Sequence, residues 1–183
     1  MMSRSVWPLV LGALALGLGG CGPKSKEAPP PKPAAAPAHS PQLGQAPSWR
    51  LHDLEGGWVD SEQFRGKLVV LDFWATWCGP CRQEIPGYVE LQKKYASDGL
   101  VVIGVSLDEG GPEIVKKFVQ KYGVSYQIVM GDDQITEAFG GIHAIPTTFI
   151  IGRDGRILDH KVGAVPRAAY EARLRNFLAV PAN

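Results

Sequence analysis

The sequence predicts an α/β domain: a central mixed β-sheet with helices on both faces and an N-terminal β-hairpin extension. Two patterns carry this expectation. From Leu68 to Leu178, apolar runs of strand length alternate with segments of helical spacing, as in a sheet covered by helices. Ahead of them, the alternating Trp49–Leu54 meets Glu55-Gly56-Gly57-Trp58-Val59, which reads as two strands around a glycine turn.

The elements follow in order. Asp60 to Phe64 reads as a short helical turn. Lys67-Leu68-Val69-Val70-Leu71-Asp72-Phe73-Trp74 is apolar but for one acid, as in a central strand buried on both faces. A helix is expected from about Pro80 to Ala96. Pro80 suits its first turn, where a missing N–H is harmless, and Pro86 is expected to kink it. Leu100–Leu107 is a second buried strand, Pro112–Tyr122 has helical spacing, Tyr126–Met130 forms a strand and Gln134–Phe139 a short helix. Thr147–Ile151 and Arg156–Val162 flank the turn signal Gly152-Arg153-Asp154-Gly155. Pro166 to Leu178 closes the chain as an amphipathic helix with Pro166 in its first turn. The domain so defined, residues 43–183, spans about 140 residues, enough for one full core.

The residues before it have another character. In residues 1–20, Arg4 precedes an apolar run from Val6 to Leu18. At about a dozen residues this falls short of the ~20 of a membrane span and fits a secretory signal peptide. Residues 21–47 are rich in Pro and Ala with almost no large apolar side chain; such a segment is expected to be an extended, mobile tether. Leu18-Gly19-Gly20-Cys21 resembles a bacterial lipobox, which implies lipidation of Cys21 and a membrane anchor. Cleavage elsewhere, giving a soluble secreted form, is the alternative. Three cysteines leave one odd thiol in an exported chain; lipidation of Cys21 leaves the pair Cys78 and Cys81.

A formal net charge of +1 gives no basic stripe of the nucleic-acid-binding kind, so no nucleic-acid partner is expected. No phosphate loop is present: Gly104 lies inside a strand pattern rather than opening a helix. The histidines His39, His52, His143 and His160 are scattered without ligand spacing, so neither a metal nor a cofactor is expected, and His143 is assigned no role.

The chemistry concentrates where the first buried strand meets its helix, at Trp77-Cys78-Gly79-Pro80-Cys81. Two cysteines three apart across that junction lie close enough to form a disulfide. Cys78 falls at the helix N-terminus, where unpaired N–H groups and the dipole favour a thiolate; it is the expected nucleophile. Cys81, one turn on, should point inward, be less exposed and resolve a mixed disulfide. Gly79 leaves room for a partner backbone. An inert disulfide or half of a zinc site are the competing readings; only Cys21 remains as a further cysteine, and no second Cys-x-x-Cys exists.

This junction resembles the active site of thioredoxin, and more closely that of the TlpA/ResA-like thiol–disulfide oxidoreductases of the redoxin family, over nearly the whole domain. The resemblance implies a thioredoxin-like fold and several roles. Asp72 would exchange a proton with the resolving thiol, burial raising its pKa. Gly104 stands where thioredoxin carries a lysine near this acid, so Asp72 is expected to lack that cation. Glu84, three residues after Cys81 and on its helix face, would tune the thiols, a solvated carboxylate being the alternative. Ile145-Pro146-Thr147-Thr148 resembles the loop facing the dithiol, with Pro146 cis and the Ile145 backbone pairing with an extended client. Trp77, Gly79, Pro80, Ile145 and Pro146 are thus the expected client-binding residues.

The implied activity is reduction of protein disulfides outside the cytoplasm, periplasmic or otherwise extracytoplasmic, by a membrane-anchored lipoprotein. Apocytochrome c is the implied client and a membrane thiol-reductant transporter the implied electron donor. Two other functions share this fold. A peroxiredoxin-like peroxide reductase would suit the hairpin and the Gly104–Asp108 segment, but the sequence has no Thr-x-x-Cys site. A Sco-like copper chaperone would need a wider cysteine spacing and a distant histidine.

Overall fold

The computed structural model describes residues 44–180. The expectations on residues 1–20, on Cys21 and on all but the end of the 21–47 tether lie outside the described residues. The tether's last residues join the domain: Ala46 N–H donates to Gly155 O at 2.9 Å, and Ile157 N–H to Gly44 O at 2.9 Å.

β1 (Arg50–His52) and β2 (Trp58–Asp60) form the expected antiparallel hairpin, followed by a single 3-10 turn, Ser61–Phe64. The main sheet comprises β3 (Leu68–Trp74), β4 (Leu100–Ser106), β5 (Gln127–Met130), β6 (Thr147–Ile151) and β7 (Ile157–Val162), in the order β5-β4-β3-β6-β7. β3, β4 and β5 are parallel, whereas β6 runs antiparallel to both β3 and β7. The sheet is therefore mixed, as expected. The helices are α1 (Gly79–Tyr95), α2 (Pro112–Tyr122), α3 (Asp133–Ala138) and α4 (Arg167–Leu178). α1 continues through Pro86 as one helix. β7 starts one residue later than the sequence pattern suggests, because the Arg156 N–H is taken by the Asp154 carboxylate within the turn, where Gly155 adopts a φ of 83° that few side chains tolerate.

The two faces of β3 divide the core with the strand period of two. Leu68, Val70 and Trp74 pack with Cys81, Ile85, Tyr88 and Leu91 of α1, Val115 and Phe118 of α2, and Tyr170 and Leu174 of α4. Val69, Leu71 and Phe73 face the hairpin residues Leu51 and Val59 together with Ile135 of α3 and Phe139. Every residue of β3 is buried, so the strand carries the helix that follows it on a rigid base. By this alternation Asp72 faces α1, on the side that holds the cysteines. Among the described residues, no helix is long and apolar enough to cross a membrane.

Candidate active site

Cys78 is the N-cap of α1. Its Sγ accepts the Cys81 N–H at 3.2 Å, the bond by which an N-cap side chain satisfies a free helix donor. The two cysteines form a disulfide with Cα atoms 5.3 Å apart. Cys78 is 4 % exposed and Cys81 1 %. That is the expected order, with a narrow margin, because Ile145 packs against the cluster containing Cys78 and its carbonyl oxygen lies 3.8 Å from the Cys78 sulfur. The Ile145–Pro146 bond is cis. This loop is pinned on both sides of the bond: Gly163 N–H donates to Pro146 O at 2.7 Å, and Thr147 Oγ1 to Ala144 O at 2.7 Å. Around the pair, Trp77 is 68 % exposed. Gly79 and Pro80 are also exposed, and a Cβ added at Gly79 would touch nothing within 4 Å, so the space above it is open.

Asp108, which sequence reasoning missed, holds this loop from below. Its carboxylate accepts Thr76 N–H at 2.9 Å, Thr76 Oγ1–H at 2.5 Å and Ser106 Oγ–H at 2.8 Å. The segment between β3 and the cysteines is thereby fastened to the end of β4.

Asp72 is 1 % exposed. Its Oδ1 accepts the Thr148 hydroxyl at 2.8 Å, and Thr148 Oγ1 lies 3.1 Å from Tyr88 OH. Burial pushes the Asp72 carboxyl up from 3.8 to about 7, against the Thr148 hydrogen bond and the Lys161 charge, which lower it; the Glu84 charge adds to the rise. Asp72 lacks a cation at position 104, as expected. β4 provides none, since Gly104 pairs with Asp72 and a Cβ there would meet Trp74 Nε1 at 2.8 Å. The indole fills the space a lysine would need, and β7 contributes Lys161 instead.

Glu84 is not a solvated carboxylate. Its side chain is 10 % exposed and that of Lys161 6 %; both Glu84 oxygens lie 3.0 Å from Lys161 Nζ. Val165 N–H donates to Glu84 Oε1 at 3.1 Å, and Lys161 Nζ also donates to Gly163 O at 3.2 Å. Lys161, Thr148 and Tyr88 were not singled out from the sequence. Among the described residues, no group of three or more His, Cys, Asp or Glu could hold a metal ion.

A disulfide at a helix N-terminus, faced by a cis-proline loop and with a buried carboxyl on the sheet face that the helix covers, can exchange its bond with that of another thiol pair. The protein is a thiol–disulfide oxidoreductase of thioredoxin-like fold. Residues 44–160 match the AhpC/TSA family, and the chain belongs to that family. It is 34 % identical over 135 residues to the thiol-disulfide oxidoreductase ResA of Bacillus thuringiensis (strain Al Hakam), covering 73 % of this chain and 78 % of that one. To the thioredoxin-like protein YneN of Bacillus subtilis it is 36 % identical over 132 residues, covering 71 % and 76 %. A thiol:disulfide interchange protein of the thioredoxin family from Chlorobium tepidum superposes with a TM-score of 0.69 at 32 % identity, over 78 % of this chain and 100 % of the other.

Proposed function

We propose that this chain reduces protein disulfides outside the cytoplasm while tethered to a membrane through a lipid on Cys21. The observation that carries the reaction is the placement of Cys78 Sγ at the α1 N-terminus, beside Ile145 O. In the reduced protein the Cys78 thiolate attacks one sulfur of a client disulfide. The client S–S bond breaks, a Cys78–client bond forms, and the electron pair leaves on the other client sulfur. Cys81 then attacks Cys78 Sγ and passes its proton to the Asp72 carboxylate. The Cys78–client bond breaks, the client sulfur it held leaves with the electron pair, and the Cys78–Cys81 bond closes. The client gains two electrons and the protein loses them, so a membrane thiol-reductant transporter must restore the dithiol. Trp77, Gly79 and Pro80 on one side and Ile145 and Pro146 on the other receive the client as an added extended strand; apocytochrome c, with its paired cysteines, is the proposed client.

The names of the similar proteins support exchange chemistry, and the helix-start thiol supports Cys78 as the nucleophile. Direction is tested by the reduction potential, titrated in thiol–disulfide buffers with Trp74 and Trp77 as reporters. A reductant lies near thioredoxin, ~ −270 mV, whereas a value near ~ −120 mV would make it a disulfide donor and sink the apocytochrome reading. The signal peptide of residues 1–20 and the tether of residues 21–47 belong to the same proposal. Cys21→Ala should release the protein from membranes, and continued membrane association would refute the lipid anchor.

A further inference from the structure

The sheet register sets three side chains in a line. Asp72 of β3 pairs with Thr148 of β6, and Thr148 pairs with Lys161 of β7. Directly opposed residues share a face, so all three look toward α1. Two α1 residues one turn apart close the row from above: Tyr88 on Thr148 and Glu84 on Lys161. The result is a buried polar row from the acid beneath the dithiol to an ion pair at the edge of the sheet.

The ion pair is an expensive way to hold α1 to β7. Desolvating both charges can cost more than their attraction returns, and an apolar pair of similar volume often serves stability as well or better. Its place in the row suggests another use. Among the described residues, Lys161 is the cation that acts on Asp72; α1 offers Cys81, Glu84 and Tyr88, and β4 offers Gly104. Tyr126, before β5, and Tyr170 of α4 are both buried near enough to feel the Asp72 charge. Asp159, two residues before Lys161, is engaged by Arg173 at 2.8 Å.

We infer that Lys161 is a positioning residue for the dithiol cycle: its ammonium, held in line with Asp72 by Glu84, keeps that carboxyl able to take the Cys81 proton. The inference rests on the Asp72–Cys81 proton exchange proposed above. In the step concerned, the Cys81–Cys78 bond forms, the Cys78–client bond breaks, the client sulfur leaves with the electron pair, and the Cys81 proton moves to Asp72. Lys161 acts by charge alone and takes no part in the proton transfer.

The test is stopped-flow reaction of the reduced full-length protein with dithiobis(nitrobenzoate) across the pH range. The first thionitrobenzoate reports attack by Cys78, and the second reports resolution by Cys81. Resolution in the wild type should break at about pH 7, where Asp72 titrates, and Asp72→Asn should remove that break. Glu84→Gln deletes an anion, leaves the cation, and should lower the break. Adding Lys161→Met to Glu84→Gln removes the remaining charge and should raise it. At a two-strand spacing of ~10 Å and an effective dielectric of ~20 the rise is about one pH unit, or resolution roughly tenfold slower well below the break. Lys161→Gln alone, with Glu84 left unpaired, should raise it further and serves if the double variant does not fold. A break present in the wild type, lost in Asp72→Asn and unmoved by every Lys161 variant overturns the inference about Lys161. A wild-type profile identical to that of Asp72→Asn overturns the role of Asp72 itself.

Discussion

Asp72→Asn should gain stability relative to the wild type as the pH rises from acid to alkaline. An ordinary aspartate titrates at 3.8, whereas Asp72 in the fold titrates at about 7. The folded state therefore holds a proton that the unfolded chain has released between those two values. Since stability falls with pH wherever the folded state binds more protons, it should decline from about pH 4 to about pH 7 and then level off. A difference of roughly three pH units at ~1.4 kcal/mol each makes the full decline about 4 kcal/mol, a large share of the ~5–15 kcal/mol that holds a typical domain together. Asparagine keeps the shape and the carbonyl oxygen that accepts the Thr148 hydroxyl, but it cannot ionise. Its own N–H₂ needs a partner, which subtracts a constant ~1–3 kcal/mol at every pH. The diagnostic quantity is thus the change in the stability difference with pH, not its sign at one pH. Denaturant unfolding of the oxidised wild type and variant, at about pH 4.5 and about pH 8.5, measures it without a contribution from thiol titration. A difference that stays constant between the two conditions would mean that Asp72 titrates as it does in the unfolded chain. Proton exchange with Cys81 would then lose its physical basis.

Three further outcomes follow from the same geometry. Cys81→Ser should leave attack by Cys78 intact and trap clients as stable mixed disulfides, visible by non-reducing electrophoresis; rapid turnover by this variant would remove Cys81 from the resolving role. Asp108→Ala removes the two hydrogen bonds that hold Thr76 in the loop before Cys78 and a third from Ser106 of β4. It should cost about 3 kcal/mol and slow exchange, measured by unfolding and by insulin reduction. Gly104→Lys, which restores the residue that thioredoxin has at this place, should destabilise rather than help. Its Cβ meets the buried Trp74 indole, and overpacking of this kind costs about 1–3 kcal/mol or more.

Much of the fold was legible because this chain announces its elements locally. Buried strands appear as unbroken apolar runs, and glycine and proline stand at nearly every boundary. β3, α2 and β6 fall where the patterns put them. The cysteine junction was legible for the same reason: a helix N-cap, the residue two after it and the pair's spacing are all local facts. Lys161 and Asp108 belong to another kind of information. Asp159 and Lys161 share one side of β7, but a register shift puts the apolar Ile157 on the other face, so no simple alternation marks Lys161 as inward-facing. The pattern cannot say that its neighbour across β6 is an acid, because that depends on the pairing of three strands drawn from residues 68–162. Likewise nothing near Asp108 shows that Thr76, thirty-two positions earlier, donates to it twice.

That distinction explains why Lys161 was not legible when Gly104 was compared with one position in thioredoxin. The comparison bore on that position alone and was silent on the other strands. Electrostatics constrains the sum of charges around the carboxyl, not the strand from which each arrives. Ile128 and Trp74 fill the volume above Gly104, so a side chain at that position and this packing exclude each other. On the opposite flank of β3, Thr148 is small enough to leave the row open to β7, and α1 places Glu84 to hold a lysine there. The helix whose first turn presents Cys78 thus also carries, two residues beyond Arg82, the carboxylate that fixes the lysine. A change in the tilt of α1 would move the dithiol and the Glu84–Lys161 charges near Asp72 together, so the proposed nucleophile and the charges beside the proposed proton acceptor are coupled through one helix.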